Sequence, residues 1–435
     1  MNVYFITLGC KVNQYESEVM LASLLENGYA QADALSDADV VVVNSCTVTR
    51  TSDQKVRQSL RRARTQSPTA VIVLTGCMTQ AFPDVKEQLP EADIFLGNQN
   101  RADLRPAIEA FLATRQQVVW IEPHAPNEAF ERMRIGTFHG RTRAFVKIED
   151  GCNRFCSYCI IPSARGRVRS KPLGELKEEL EALAAAGYLE VVLVGINLSA
   201  YGQDLGCSLC DAVETACAVE GLARVRLGSL EPDHMDVSVV ERLSKQEKLC
   251  PQFHLSLQSG CDDTLKRMNR HYRAEDYRAI ADNLRTHFSD CSLTTDVMVG
   301  FPGEDEAAFS LSLAFVKSIG FSKVHVFAYS RRPGTPAADM PEQIPKKEKD
   351  ARSKIMSEET GKLRTNFHKN QVGKRFPVLF ETALPDGSAE GHTPHYLPVR
   401  VPDGSALCGK IRRIELTGAE ENYCVGVVVE SNYEL

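Results

Sequence analysis

Short apolar runs alternate with amphipathic segments along the first hundred residues of the chain. Three runs, at residues 3–7, 40–43 and 70–74, are rich in β-branched side chains and predict buried parallel strands. Helical patterns at 16–27 and 54–64 lie between them. Strands that alternate with helices in this way predict an open α/β sheet with all strands parallel.

The alternation continues with six further strand-like segments. They are predicted at residues 144–148, 191–194, 224–227, 253–257, 293–299 and 323–328. Helical patterns such as 174–186 separate them. Because a full barrel of this type has eight strands, six units predict a partial (β/α)6 barrel, with its chemistry at the carboxyl ends of the strands.

From residue 373 onward the pattern changes to short strands with Pro-Asp-Gly turns at 385–387 and 402–404. The strands are predicted at 376–380, 397–401, 410–415 and 423–429. This pattern predicts a small β-barrel. The α/β chain is therefore expected to contain three domains and a linker, at 1–113, 114–137 (the linker), 138–369 and 370–435.

Candidate chemistry begins with a Cys-x3-Cys-x2-Cys run on the loop that follows the strand at 144–148. We call its members the motif cysteines: Cys152, Cys156 and Cys159. A cubane [4Fe–4S] cluster has four iron corners, so three thiolates leave one iron open to a substrate or cofactor. A zinc site needs a fourth Cys or His at short spacing, and residues 160–165 supply neither.

A cysteine also follows each of the first three predicted strands. We call these the strand-end cysteines: Cys10, Cys46 and Cys77. Ligands in open α/β sheets bind outside the carboxyl ends of the strands. The three thiols are therefore expected to converge there and to form a second cluster site, although each could also be an ordinary buried cysteine.

Composition places these sites in a reducing compartment. Of the 435 residues, 43% are hydrophobic, 25% are charged and 14 are cysteines. No apolar run approaches the roughly 20 residues that span a bilayer, and the start of the chain lacks the pattern of a signal peptide. We expect a cytoplasmic protein without membrane contact, in which cysteines such as Cys207, Cys210 and Cys217 belong to the core.

Several motifs resemble one known family. The motif cysteines, with Tyr158 before the last of them, resemble the radical S-adenosylmethionine (SAM) superfamily. Three segments look like the N-terminal domain of the methylthiotransferases within it: Leu8-Gly-Cys-Lys-Val-Asn13, Asn44-Ser-Cys-Thr-Val-Thr49 and Thr75-Gly-Cys-Met-Thr-Gln80. Residues 392–399 resemble the TRAM domain, an OB-like RNA-binding module.

The resemblance implies two [4Fe–4S] clusters and SAM as cofactors. The motif cysteines would hold the cluster that cleaves SAM to a radical, and the strand-end cysteines would hold the cluster that supplies sulfur. No side chain is expected to be catalytic in its own right. The implied SAM neighbours are Tyr158, Asn197, Ser256, Gln258 and Asp296.

The family also implies the substrate and the partners. Lys11 and Val12 resemble the branch that adds a methylthio group to C2 of N6-threonylcarbamoyladenosine at tRNA position 37. Methylthiolation of N6-isopentenyladenosine, or of a ribosomal-protein aspartate, is the alternative within the family. A non-catalytic iron–sulfur or electron-transfer protein is the alternative outside it. The expected partners are tRNA and a reducing protein of the flavodoxin or ferredoxin type.

The charge pattern leaves the RNA surface open. Residues 371–435 contain six basic and nine acidic residues, a net charge of −3, which is unusual for an RNA-binding module. Residues 54–83 carry five basic and no acidic residues, and Arg57, Arg61 and Arg64 share a helical face that is expected to meet RNA or water. Arg165 and Arg169 are candidates to pair with the SAM carboxylate or a substrate anion.

Overall fold

A computed structural model describes residues 1–125, 128–131 and 142–430 of the chain. The expected linker, 114–137, lies outside the described residues at 126–127 and 132–137. The proposed domain boundaries stay predictions. In the described ranges, no helix has the length and apolar character needed to cross a membrane.

The first unit is a six-stranded parallel sheet with the strand order β2-β1-β3-β4-β5-β6. Its strands are β1 (Asn2–Thr7), β2 (Ala30–Gln31), β3 (Val40–Ser45), β4 (Val71–Gly76), β5 (Ile94–Leu96) and β6 (Val118–Trp120). Its helices are α1 (Lys11–Glu26), α2 (Arg50–Gln66), α3 (Cys77–Ala81) and α4 (Leu104–Thr114). Strands β3 and β4 are buried along their whole length, since helices cover both faces of the sheet.

The second unit is the predicted partial barrel. Its strands are β7 (Arg143–Lys147), β8 (Glu149–Asp150), β9 (Arg169–Ser170), β10 (Glu190–Val194), β11 (Arg224–Leu227), β12 (Ser229–Leu230), β13 (Gln252–Leu255), β14 (Ser292–Val299) and β15 (Lys323–Ala328). Parallel pairing runs β7-β10-β11 and then β12-β13-β14-β15, with only Gly228 between β11 and β12. The six predicted β/α units are confirmed.

Nine helices of the described residues belong to this unit: α5 (Ile161–Arg165), α6 (Leu173–Ala185), α7 (Leu209–Ala218), α8 (Val237–Leu243), α9 (Asp262–Arg267), α10 (Ala274–His287), α11 (Glu306–Ile319), α12 (Pro336–Asp339) and α13 (Lys346–Lys369). Cys210 and Cys217 are buried on α7, as predicted, whereas Cys207 is only partly buried. No edge strand pairs with β15 on its outer side in the described sheets, so the barrel is open there.

The third unit is a closed five-stranded barrel with the order β16-β17-β18-β20-β19. The strands are β16 (Arg375–Ala383), β17 (Ala389–His392), β18 (Pro398–Val401), β19 (Ile411–Ala419) and β20 (Cys424–Glu430). This confirms the predicted small β-barrel and adds β17, which the sequence pattern did not reveal.

Buried contacts join the three units. Val12, Tyr15 and Val19 of α1 pack into the hydrophobic core of the partial barrel. From the third unit, the loop after β17 contacts the barrel, where Arg226 Nη1 donates to the carbonyl of Pro394 at 2.9 Å. The first and third units therefore both reach the partial barrel, which places their loops beside its strands.

Candidate active site

The strand-end cysteines meet at the carboxyl edge of the first sheet. Cys10 precedes α1, Cys46 follows β3 and Cys77 begins α3. Gly9 has a φ of +116°, and a Cβ there would lie 2.9 Å from the Cβ of Cys46. A glycine is required at this position because the Cys10 and Cys46 loops touch. The structure thus brings together residues that lie 67 positions apart in sequence.

The side-chain amides of Asn13 and Asn44 connect these loops through hydrogen bonds. The Cys10 thiol donates to Asn13 Oδ1 at 3.1 Å, and Asn13 Nδ2 donates to Asn44 Oδ1 at 3.1 Å. Burial raises the pKa of Cys46 to about 11, and the neighbouring Cys77 adds to the effect. Such thiols would stay protonated in the absence of metal and would release their protons to solvent when a metal binds, because a metal stabilises the thiolate.

The motif cysteines lie on the loop between β8 and α5, as the sequence predicts. Arg270 Nη1 donates to Cys156 Sγ at 3.3 Å, and Arg270 also forms a salt bridge with Glu231. Burial raises the pKa of Cys152 to about 12. Sequence reasoning missed Arg270 and Glu231, since both come from loops far from the motif in sequence.

Both cysteine sets fit iron–sulfur clusters in their donor chemistry. Among the described residues, no three His, Cys, Asp or Glu side chains converge on a point suited to one metal ion. A cubane makes a different demand, because each thiolate binds a separate iron corner. Three soft thiol donors per site are the ligands that such clusters use.

The expected SAM neighbours occupy different environments. Asn197 follows β10 and is buried, and its Oδ1 has no hydrogen-bond partner among the described residues. An unpartnered buried amide oxygen fits a polar ligand that is not part of the chain. Its neighbour Glu149 accepts a hydrogen bond from the Asn197 backbone N–H at 2.7 Å. Burial raises the pKa of Glu149 well above its usual range.

The other four candidates surround the same side of the barrel. Tyr158 packs edge-on against Phe301, with ring centroids 6.3 Å apart. The backbone carbonyl of Ser256 accepts hydrogen bonds from Tyr272 and Arg270. Gln258 has a φ of +66°, and its N–H donates to the backbone carbonyl of Asp296 at 2.9 Å. Gln258 therefore holds an uncommon left-handed backbone at the end of β13.

The expectation that Arg165 pairs with a SAM carboxylate or a substrate anion is wrong. Its side chain is fully buried and faces the first unit, where it donates to Glu16 Oε1 at 2.5 Å and to Cys77 Sγ at 3.3 Å. It also pairs with Asp150 at 3.3 Å. Arg169 is likewise engaged with Glu128 and Asp150. Internal carboxylates already neutralise both arginines, so neither is available to a SAM or substrate carboxylate.

Glu16 is the centre of this buried network. Lys147 Nζ lies 2.8 Å from Glu16 Oε1, and Arg101 Nη2 lies 3.1 Å from the same oxygen. Burial by itself would raise the pKa of Glu16, but the surrounding cations outweigh it and hold the pKa at about 2. The network joins α1, which begins beside Cys10, to the strand and loop that carry the motif cysteines.

A cavity of about 530 Å³ opens between the first unit and the barrel lumen. Its volume falls within the range of small-ligand sites. Residues of all three units line it, and they include two lysines, two histidines and an aspartate: Cys10, Lys11, His254, Asp296, Lys323, His325 and Tyr396 are among them. His254 Nε2 lies 3.4 Å from Asp296 Oδ2. Of the predicted SAM neighbours, Asp296 alone is part of this lining.

Lys11 has no direct carboxylate partner among the described residues, and burial lowers the pKa of its ammonium group although Tyr396 and Glu190 act in the opposite direction. It is half-buried at the start of α1, and its Nζ lies 6.0 Å from the Phe145 ring centroid. No carboxylate among the described residues forms a salt bridge with it. The adjoining Tyr396, by contrast, already has two charged partners inside the protein. The guanidinium carbons of Arg143 and Arg226 lie 5.1 and 4.8 Å from its ring centroid.

The predicted basic face of α2 is partly used inside the first unit. Arg57 donates to Gln88, Arg61 pairs with Glu91, and Arg64 pairs with Asp93 at 2.7 Å. Arg61 nevertheless stays largely exposed. The α2 face is therefore less strongly positive than the sequence alone indicates.

Comparison with known proteins identifies the family. Residues 2–97 match the family described as "Uncharacterized protein family UPF0004", and residues 146–316 match the radical SAM superfamily. The threonylcarbamoyladenosine tRNA methylthiotransferase MtaB of Thermotoga maritima is 40% identical over 90% of this chain and 89% of its own. The MtaB protein of Bacillus subtilis is 37% identical over 98% and 96%.

The chain also resembles a second tRNA-modifying enzyme and a solved radical SAM structure. The tRNA-2-methylthio-N(6)-dimethylallyladenosine synthase of Pelotomaculum thermopropionicum is 34% identical over 97% of this chain and 96% of its own. The radical SAM methyltransferase TsrM of Kitasatospora setae shares the fold, with a TM-score of 0.59 and 15% identity over 78% of this chain and 76% of its own. On these matches, the chain belongs to the radical SAM methylthiotransferase family.

Proposed function

We propose that this protein adds a methylthio group to C2 of N6-threonylcarbamoyladenosine at position 37 of tRNA. It acts in the cytoplasm with two [4Fe–4S] clusters and SAM, and it receives electrons from a small reducing protein. The observation that carries the substrate assignment is Lys11, an ammonium group in the cavity beside Cys10 with no internal carboxylate partner among the described residues. The threonylcarbamoyl group carries the carboxylate that such a cation would bind.

The cysteines divide between the two clusters. The motif cysteines hold the SAM-binding cluster, and the strand-end cysteines hold the second one. When bound, the first cluster and SAM supply the radical that abstracts a hydrogen atom, and the second supplies the sulfur. The chain itself holds these groups in place through Arg270 at Cys156 and Arg165 at Cys77, each 3.3 Å from the sulfur.

SAM would bind on the barrel side of the motif loop. Asn197 offers an unpaired buried amide oxygen, which suits the SAM amino group. Tyr158 and Gln258 would border the adenosine, and Ser256 would contribute through its loop. Asp296 reaches the cavity, so it lies where SAM and the target base would meet.

The cavity orients the modified base with residues of all three units. Lys11 binds the threonylcarbamoyl carboxylate, and the partly buried His325 offers a ring nitrogen to the base or its linker. His254 is engaged by Thr294 and Asp296. Tyr396, from the loop after β17, brings the RNA-binding unit to the edge of the cavity. An apolar isopentenyl group would leave the Lys11 ammonium without a partner, which disfavours that substrate.

A panel of substrates tests the assignment. Anaerobically reconstituted enzyme is supplied with SAM, dithionite and one of three substrates: tRNA with threonylcarbamoyladenosine at position 37, tRNA with isopentenyladenosine there, or a ribosomal protein with an exposed aspartate. Mass spectrometry of the digests is expected to find the methylthio product with the first alone. The ribosomal-protein arm is needed because an aspartate would also satisfy Lys11. A product only with isopentenyladenosine would refute the substrate assignment while leaving the family intact.

A further inference from the structure

Phe155, between the first two motif cysteines, is unusually placed for an aromatic residue. Its side chain is 47% exposed, and its backbone has a φ of +51°. A bulky residue in the left-handed region is a genuine outlier and is strained. Asn269, just after α9, supports this backbone by donating to the Phe155 carbonyl at 3.0 Å. The loop therefore holds the Phe155 ring in solvent, although an aromatic ring is normally buried and a bulky residue normally avoids this backbone conformation.

The exposed ring borders a depression that leads to the motif sulfurs. The depression has a volume of about 440 Å³ and is lined mainly by apolar side chains and by two of the motif cysteines. The apolar members include Phe155, Pro162 and Pro336, the two cysteines are Cys156 and Cys159, and the polar members are His124, Ser163 and Arg167. None of them lines the cavity that contains Cys10 and Lys11. The motif loop thus has a second face, separate from the one that receives the substrate.

The rim of this depression is positively charged. The guanidinium of Arg167 lies 4.6 Å from the Phe155 ring centroid, which is cation–π geometry. Arg167 is exposed, and no described carboxylate forms a salt bridge with it. Arg154 differs, because Asp233 neutralises it at 2.5 Å.

We propose that this surface, which we call the Phe155 face, is the docking site for the one-electron donor of the enzyme. The donor is a small acidic protein that carries a reduced flavin or iron–sulfur group, and this inference rests on the proposed function. Each SAM cleavage consumes one electron, which passes from the donor group to the cluster at the motif cysteines and leaves the donor oxidised by one electron. An exposed aromatic residue beside the guanidinium of Arg167 suits such a contact, since redox complexes have small interfaces that depend on charge complementarity.

The test compares two reductants on the same variants. Arg167→Glu reverses the charge at the rim. Phe155→Asn removes the ring, and asparagine tolerates the positive φ of this position. Full-length reconstituted enzyme is assayed for 5′-deoxyadenosine formation, driven either by reduced flavodoxin or by dithionite. The flavodoxin-driven rate should fall roughly tenfold or more at low salt in both variants. Arg167→Glu loses the electrostatic steering of the encounter, and Phe155→Asn loses the aromatic contact at its centre. The dithionite-driven rate and the iron content should match those of the wild type.

Control variants and salt make the outcomes decisive. Lys177→Glu makes the same change of charge at an exposed position on α6 and should leave both rates unchanged. The Arg167→Glu defect should shrink as salt is added, whereas a packing defect would not. Equal losses with both reductants would show that the Phe155 face is structural, and unchanged flavodoxin rates would overturn the proposal outright. A weaker affinity for tRNA with normal flavodoxin kinetics would assign the face to RNA instead. A wild-type enzyme that forms no deoxyadenosine even with dithionite would refute the proposed function itself.

Discussion

Removing the charge of Lys11 tests the part of the proposed function that depends most on one side chain. Lys11→Met keeps an unbranched side chain of similar length, so the start of α1 and the shape of the cavity should persist. The variant loses one of the two ammonium groups that line the cavity, those of Lys11 and Lys323, neither of which forms a salt bridge with a described carboxylate. A substrate whose carboxylate pairs with Lys11 should therefore bind less tightly. The transition state should lose the same stabilising contact, so kcat/KM should fall.

The expected size of the effect follows from the site. A hydrogen bond to a charged group is worth about 1.5–3 kcal/mol, which corresponds to roughly a 10- to 150-fold loss in kcat/KM. Lys11 is half-buried beside the Phe145 ring, so water replaces the lost partner poorly and the upper half of that range is expected.

The assay measures methylthio product from tRNA that carries threonylcarbamoyladenosine, by mass spectrometry at several tRNA concentrations. Deoxyadenosine formation without tRNA serves as the internal control and should be unaffected, because SAM does not use Lys11. Lys177→Met, an exposed lysine on α6, is the matched variant and should behave as the wild type. A kcat/KM for Lys11→Met within about twofold of the wild type would refute the carboxylate contact, since twofold is well below the expected loss.

Three further predictions concern the clusters and the buried charges. Alanine at all motif cysteines should reduce the iron content from about eight to about four atoms per chain and abolish deoxyadenosine formation, as iron analysis and chromatography would show. Alanine at all strand-end cysteines should also leave about four irons but preserve deoxyadenosine formation while no methylthio product appears; loss of SAM cleavage would contradict separate sites. Arg165→Met should destabilise the chain by about 3–5 kcal/mol, measured as a lower urea midpoint, with partial recovery in Arg165→Lys; an unchanged midpoint would contradict a structural role for the ion pairs.

The placement of the cysteines was predictable because parallel strands share a direction. An apolar run followed by a loop cysteine occurs three times, so the carboxyl ends of those runs must lie on one edge of the sheet. The bounds of β11 and β15 in the barrel agree with the predicted segments 224–227 and 323–328 for a different reason. Polar and apolar residues alternate at the start of both strands, and a period of two is typical of a β-strand.

Strands that depend on neighbours rather than on their own pattern were missed. The segment Ala389–His392, which forms β17, contains no β-branched residue. A Cβ at Gly391 would lie 2.2 Å from the Leu379 carbonyl oxygen, so a glycine is needed where β16 passes closely. This requirement comes from the pairing of two strands, and the short segment alone gives no sign of it.

Arg165 shows why charged residues near a motif are difficult to assign from sequence. Its position a few residues after Cys159 suggested a ligand role, yet its main partner is Glu16, 149 positions earlier. A single sequence contains no record of such a long-range pair. Arg57, Arg61 and Arg64 gave the same difficulty, because the residues that engage them lie about 30 positions away, at 88–93.

The buried network around Glu16 has a consequence for how the two cluster sites stay aligned. Two buried carboxylates and several cations are costly to remove from water, and a hydrophobic core would stabilise the contact at least as well. Ion pairs differ from apolar packing in that they lose most of their energy when displaced, so they fix one register between α1 and the motif loop. Glu16 lies one and a half turns along α1 from Cys10, and its partner Arg165 also contacts Cys77. A shift between the first unit and the barrel would therefore break this network. The network opposes such a shift and so keeps the spacing of the sulfurs constant, which transfer between two metal sites requires.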